Sequence, residues 1–376
     1  MGMDDLPSDI SLNIFSRLDV DSVLDCKLVC RTWRNLVKNP SFARSRLACR
    51  KLLLQNFDEN DTHQDLSSDT CETFQSGFLS LEELGNKSDD CRLHYVEYDV
   101  NFKKKFYEIK NKTINIPPIK KTYLTMIGSC NGLICSTVRH HRLNDPIHIC
   151  NPVTLEYVYL PRYVSGVGTH KMASGFGYSP STDEYKVVRI YKKSVHTAWC
   201  FQVYILGNES RKWTDEKEIP NRFENCFRYS TGILVNGERY WLEQASKIVA
   251  FSLADEEFRD VASPPFVERS GYDDKRLCAF GDWLCLLDKE FTVYAETRSL
   301  IPLAFTKKGK VLFWQDHRFV SCYDPETAIL EKLSKDENND KADLESYHEA
   351  HHINSFVSLK ALGVQNCRRR LKYMAK

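Results

Sequence analysis

The chain has 376 residues, enough for two or three domains, and its 52 basic and 51 acidic side chains leave a formal net charge of +1. That balance argues against a generally basic nucleic-acid binder and offers no charge cue for an anionic membrane. No apolar run approaches the roughly 18 residues of a membrane helix, and the acidic start Met1-Gly2-Met3-Asp4-Asp5 lacks a secretory core.

The first 50 residues read as helices. Pro7 suits a first helical turn, with Asp5 or Ser8 as its cap. Ile10, Ile14 and Leu18 recur every four residues beside Phe15 and make one apolar face. Asp19 to Ser22 breaks that run and offers a new cap. Val23, Leu24, Leu28 and Val29 make a second stripe, and Trp33, Leu36 and Val37 a third before Asn39-Pro40. Residues 58–91 hold ten acidic side chains against Lys87 alone, and are rich in Ser and Thr. This composition predicts a mobile linker with one short strand at 78–81. A lysine-rich stretch, 103–121, follows as a solvated face.

From about residue 116 the pattern becomes short β-rich runs, as the aromatic content of 12% also favours. One turn recurs at Asn151-Pro152-Val153-Thr154, Ser179-Pro180-Ser181-Thr182 and Asp324-Pro325-Glu326-Thr327. A glycine before an apolar strand recurs at Gly132, Gly177, Gly237, Gly281 and Gly309, at spacings of 45, 60, 44 and 28 residues. Periods of 40 to 50 residues suggest propeller blades, against another all-β sandwich or barrel. The interval of 28 is too short for four strands, so either that blade keeps two or three strands or the ring stays open there, and both outcomes expose a strand edge at 291–294.

The N-terminal residues resemble an F-box. Leu6, Pro7, Asp9, Ile10, Ile14, Leu18, Val23, Leu24, Cys26, Val29, Cys30 and Trp33 stand at the spacings of its pattern. The rest resembles the F-box-associated interaction domain of a large plant family. The matching segments are SCNGLIC (129–135), ICNPVT (149–154), GFGYSPSTDEYKVV (175–188), LVNGERYWL (234–242), FGDWLCLL (280–287), YDPET (323–327) and SFVSL (355–359). A further family stretch after FGDWLCLL is missing, where the spacing falls to 28.

The resemblance implies an α+β chain of separate domains: a three-helix F-box at 1–48, an acidic linker at 58–91, a mainly β, kelch-like propeller at 92–362 with one incomplete blade, and a basic tail at 363–376. It implies a non-catalytic substrate adaptor of a Skp–cullin–F-box ubiquitin ligase. Leu6, Pro7, Ile10, Ile14, Leu18, Leu24, Val29, Cys30 and Trp33 would bind the Skp adaptor and, through it, cullin. Lys27, Arg31, Arg34 and Lys38 would meet acidic groups there. The propeller would bind a substrate protein through loops such as 162–171, 221–230 and 269–276. The expected partners include no nucleic acid and no membrane, and the expected location is cytoplasmic, nuclear or both. A propeller lectin, or a scaffold outside any ligase, is the alternative reading.

No catalytic motif competes: G-x-S-x-G, P-loop, H-E-x-x-H and a complete G-x-G-x-x-G are absent from the sequence. No cofactor or metal is expected. His140, His141, His148 and Cys150 lack a zinc spacing and read as exposed loop residues with a cysteine beside them. The 14 scattered cysteines contain no C-x-x-C pair and read as reduced, mostly buried thiols, Cys130 and Cys135 among them. Trp199, Trp241, Trp283 and Trp314 read as blade core rather than a sugar or peptide platform. Arg368-Arg369-Arg370 reads as a solvated basic tail rather than a nuclear signal.

Overall fold

The computed structural model describes residues 7–55, 73–83, 91–101, 106–114, 124–140, 143–162, 171–194, 196–220, 223, 232–242, 247–262, 275–280, 283–288, 300–305, 309–315, 319–335 and 346–369. Four helices open it: α1 (Ser8–Arg17), α2 (Val20–Val29), α3 (Arg31–Lys38) and α4 (Pro40–Gln55). The sequence predicts three. Asn39-Pro40 does end α3, but Pro40 then occupies the first position of a fourth helix, where its missing N–H costs nothing. Pro7 holds the cap position of α1, with no side-chain cap. Asp19 caps α2 as its position suggests, its carboxylate accepting from the Ser22 N–H at 2.8 Å. Cys30 caps α3 in the same way, its Sγ 3.4 Å from the Trp33 N–H. The Cys-x-x-Trp spacing thus has a local cause: it places a weak acceptor one turn before the tryptophan's amide.

The β domain is a ring of sheets. The first begins with β1 (Thr73–Glu83), β2 (Cys91–Asn101) and β3 (Phe106–Ile114). The second holds β4 (Leu124–Cys130), β5 (Leu133–His140), β6 (Leu143–Asn151) and β7 (Glu156–Tyr159). The third holds β8 (Lys171–Ser179), β9 (Glu184–Lys192), β10 (Trp199–Ile205) and β11 (Lys217–Glu218). The fourth holds β12 (Ile233–Val235), β13 (Glu238–Leu242), β14 (Ile248–Ser252) and β15 (Glu257–Val261). The fifth pairs β16 (Lys275–Phe280) with β17 (Trp283–Asp288), two strands among the described residues. The sixth holds β18 (Leu300–Phe305), β19 (Val311–Gln315), β20 (Phe319–Asp324) and β21 (Ile329–Lys332). Three late strands, β22 (Ser334–Lys335), β23 (Ser346–His351) and β24 (Arg368–Arg369), return to the first two sheets.

Five sheets of four or five strands are therefore full propeller blades, and the two-stranded fifth sheet stands between the fourth and sixth. It falls where the sequence interval shrinks to 28 residues. The ring nevertheless closes. Phe78, Val96 and Val100 of the first sheet share a core with Leu312, Trp314 and Val320 of the sixth. The expected edge at 291–294 lies outside the described residues.

Closure uses the two ends of the β domain. The strand order β22-β3-β2-β1-β23 builds the first blade from early and late chain, with Leu79 opposite Ala350. Within the expected linker 58–91, the strand is longer than the expected 78–81, while residues 58–72 and 84–90 lie outside the described residues. Thr73–Glu83 is an eleven-residue strand, bonded on both sides by β2 and β23. Its acidic composition hid the apolar residues Phe74, Phe78, Leu79 and Leu81 and the partner supplied from far along the chain. Likewise Arg368 and Arg369 do not belong to a free tail. They pair with Tyr157 and Glu156 of β7 as the outer strand of the second blade.

Turn chemistry follows the sequence closely. Asn131-Gly132 (φ 49° and 81°) and Asn236-Gly237 (φ 49° and 80°) are hairpin turns with two successive left-handed residues, which Asn-Gly tolerates best. The proline turns that start at Asn151, Ser179 and Asp324 close on left-handed Leu155, Asp183 and Ala328. Glu256 closes a fourth turn in the same way, one whose sequence, Leu253-Ala254-Asp255, has no proline and was not recognisable from that pattern. Gly177 differs from the other glycines: it lies inside β8, where a Cβ would stand 2.5 Å from Leu234.

Blades packed on both faces need apolar residues at nearly every position, and β9 is buried from Tyr185 to Tyr191. Trp199, Trp241 and Trp314 are core, as expected. Trp283 is not: it is 76% exposed at the start of β17, in a sheet with no third strand among the described residues to cover it.

Candidate functional site

The helical module has no core of its own. Phe15, Val23, Val37, Phe42 and Leu47 belong to one apolar cluster with Ile127, Leu133, Ile147 and Phe176 of the second and third blades. The segment 352–359 is the joint. Ser355 Oγ donates to Asn131 O at 2.6 Å, and Asn151 Nδ2 donates to Ser355 O and Val357 O at 3.1 and 2.7 Å. Phe356 projects from this segment. Its ring lies 5.5 Å from that of Phe42 and beneath both Arg46 and Lys27. Buried Arg46 donates to Phe15 O at 3.1 Å and to Leu18 O, satisfying carbonyls at the end of α1. Phe356→Ala removes this knob and is expected to cost about 3–5 kcal/mol. The check is a lowered melting temperature together with faster amide exchange in α4 than in β9.

Burial sorts the nine residues expected to bind a partner. Ile14, Leu18, Leu24 and Trp33 are half-buried against the shared core, Trp33 edge-on to Phe15 at 5.1 Å. Cys30 is half-buried and engaged in its cap. Pro7, Ile10 and Val29 remain exposed, Ile10 at 48% and Val29 at 66%. Leu6 lies outside the described residues. The sequence reading placed Leu28 on the second stripe but not among the partner residues, yet it is 75% exposed. A 3.6-residue stripe does not say which apolar positions the propeller takes, because that is decided by contacts over a hundred residues away. Of the basic residues expected to face a partner, Arg31, Arg34 and Lys38 are exposed, whereas Lys27 is committed to Phe356.

The other chemical candidates resolve into structure. His148 is not a loop residue. It is fully buried in β6, with Nε2 2.8 Å from Ser136 Oγ, and burial lowers its pKa to about 4. His352 is buried at the joint, 2.7 Å from Ser129 Oγ, and burial likewise lowers its pKa to about 4. Both favour the neutral ring in the folded state, while an unfolded chain protonates near 6.5. The unfolded state thus binds more protons, and stability present above pH 6.5 falls as pH drops towards 4. The melting temperature should decline from pH 7 to pH 5, and His148→Gln should flatten that decline. Cys135 and Cys150 are buried and held in the thiol form, Cys150 pushed up to about 12.

The three loops expected to recognise a substrate lie mostly outside the described residues, but the strands that bear them are described. Tyr159 and Lys171 sit at the strand ends remote from the turns at 152–155 and 180–183, as the pairings His148 to Tyr159 and Lys171 to Lys192 fix. Ile233, Val261 and Lys275 sit at the corresponding ends of their own sheets. The helices engage the opposite end, directly through an Arg44–Asp183 pair at 3.8 Å and indirectly through Phe356, whose segment is bonded to Asn131 and Asn151.

The chain matches the family of the F-box associated beta propeller domain over residues 86–290, and the F-box-like family over residues 3–50. An F-box protein of Arabidopsis thaliana is 25% identical over 299 residues, covering 70% of this chain and 61% of that protein. An F-box/kelch-repeat protein of the same plant is 22% identical, covering 69% of this chain and 65% of that protein. A further Arabidopsis thaliana F-box protein is 25% identical over 91% of this chain and 89% of its own length. The chain spans about six tenths of the length of the first two of these relatives.

Proposed function

We propose that this chain, which belongs to the F-box associated beta propeller family, is the substrate-recognition subunit of a Skp–cullin–F-box ubiquitin ligase. One observation carries the reading. Helices α1 and α2 bury one side in the propeller and leave Ile10, Leu28 and Val29 in solvent. Large exposed apolar side chains on a module already fixed to its own β domain suit a partner's groove. Arg31, Arg34 and Lys38 would raise the rate of encounter with an acidic adaptor more than the final affinity.

The mechanism is proximity. The ring holds a target protein at the end away from the helices, and the helices hold the adaptor and cullin. A lysine of the target then meets the ubiquitin carrier at high effective concentration, with no covalent step on this chain. The site of action is the cytoplasm, the nucleus or both. Co-expression of the full chain with a Skp-type adaptor and cullin tests the reading: a complex that survives size exclusion is expected. A chain that elutes alone at micromolar concentrations of all components removes the ligase role and leaves the scaffold.

A further inference from the structure

The fifth sheet has two strands among the described residues, and two cysteines face each other across it. Cys278 of β16 and Cys285 of β17 are direct antiparallel partners. Directly opposed residues lie about 4.5–5.5 Å apart at Cα and project from the same face. A disulfide spans about 4.4–6.8 Å between Cα atoms, so directly opposed strand positions lie within its reach. Cys278 Sγ already stands 3.7 Å from Cys285 O. Both residues are thiols, Cys278 buried beside Val311 and Phe313, Cys285 half-buried and reachable from solvent.

We propose that Cys278 and Cys285 form a thiol–disulfide modification site, oxidised by a small disulfide of the glutathione class. Reactivity is asymmetric. The hydrogen bond from the Cys278 thiol lowers the Cys285 pKa to about 7, against the opposing effect of burial. The resolved shifts of Cys26, Cys135, Cys150, Cys200 and Cys367 all run the other way. Cys285 is therefore the attacking sulfur. Its thiolate forms a bond to one sulfur of oxidised glutathione and expels a glutathione thiolate, which takes up a proton. Cys278 then releases its proton to solvent and attacks Cys285 Sγ. The Cys278–Cys285 bond forms, and the second glutathione leaves and is protonated. Two protein thiols lose two electrons, and one oxidised glutathione becomes two reduced ones. The product joins two strands that are held by each other alone among the described residues of their sheet.

Full-length reduced protein equilibrated across a series of reduced-to-oxidised glutathione ratios, quenched by alkylation and mapped by mass spectrometry, tests the site. A linked Cys278–Cys285 peptide is expected in the oxidising half of the series. Cys285→Ser should abolish it, and Cys278→Ser should stop at a glutathione adduct on Cys285. A second readout needs no variant: alkylation of Cys285 against pH in the unsubstituted protein should have its midpoint clearly below the ordinary cysteine value of about 8.5. The proposal fails if Cys285 stays alkylatable in excess oxidised glutathione. It also fails if either cysteine links to a different one, or if the midpoint sits near the ordinary cysteine value of about 8.5.

Discussion

The double substitution Ile10→Asp with Val29→Asp should weaken adaptor binding by about 10²–10⁴-fold and leave the melting temperature of the isolated chain within a few degrees. Each apolar side chain that becomes fully buried in a partner contributes about 1.5–3 kcal/mol, so losing two amounts to about 3–6 kcal/mol, before the cost of forcing charge into the interface. Both residues are exposed on the free chain, which is why folding should be nearly indifferent. Phe15→Asp provides the contrast, because Phe15 sits in the shared core and its loss should unfold the helices. Calorimetric titration of adaptor into each protein, paired with a thermal melt, separates the two cases. If the double substitution leaves affinity within threefold of the original, the exposed apolar residues are not the docking surface.

Arg239→Leu should lower the melting temperature by ten degrees or more. The guanidinium is buried where three blades converge. It donates to Phe176 O of the third blade, to Ile127 O of the second and to Gly232 O ahead of the fourth, the latter two both at 3.1 Å. Burial lowers its pKa to about 10, which still leaves it charged at neutral pH. Leucine fills much of the volume but donates nothing, so three buried carbonyls lose a charge-assisted partner at about 1–3 kcal/mol each. Arg239→Lys should rescue little, because an ammonium on a flexible stem does not reproduce the planar fork. Gly175 belongs to the same unit: a Cβ there would stand 2.5 Å from Arg239 Cδ. Gly175→Ala should therefore approach the effect of removing the arginine. A melt unchanged by Arg239→Leu would mean that blade packing alone holds the three sheets together.

These residues mark what a sequence discloses and what it does not. Local signals were legible. The proline turns, the Asn-Gly hairpins, the Asp19 cap and the apolar β runs each depend on a few adjacent residues. The short repeat was legible too, since the interval of 28 residues falls at the sheet that shows two strands among the described residues. What stayed hidden was supplied from far along the chain. Nothing in 73–83 announces that β23 pairs with it, and nothing in Arg239 announces carbonyls from two other blades. The candidate site divides along the same line. The helical stripes were readable, but which apolar residues remain outside was settled by Phe356 and its neighbours, more than 300 positions away.

The late arrival of β23 sets a timetable for biosynthesis. Leu79 waits for Ala350, 271 residues later (350 − 79), before its sheet has an inner edge. At ribosomal speeds of about 5–20 residues per second, that wait is on the order of 15–50 s. Throughout it, β1 presents unpaired backbone groups, and the helices lack the Phe356 segment that seats them. A nascent chain is thus exposed to chaperones, proteases and its own neighbours until the codons for β23 and the Phe356 segment are read. A stop codon placed at 345 would remove β23 and the Phe356 segment, and leave the ring open and the helices unseated. Such a message should yield a product degraded nearly as fast as one cut in half, and pulse-chase measurement of the two half-lives would show whether it does.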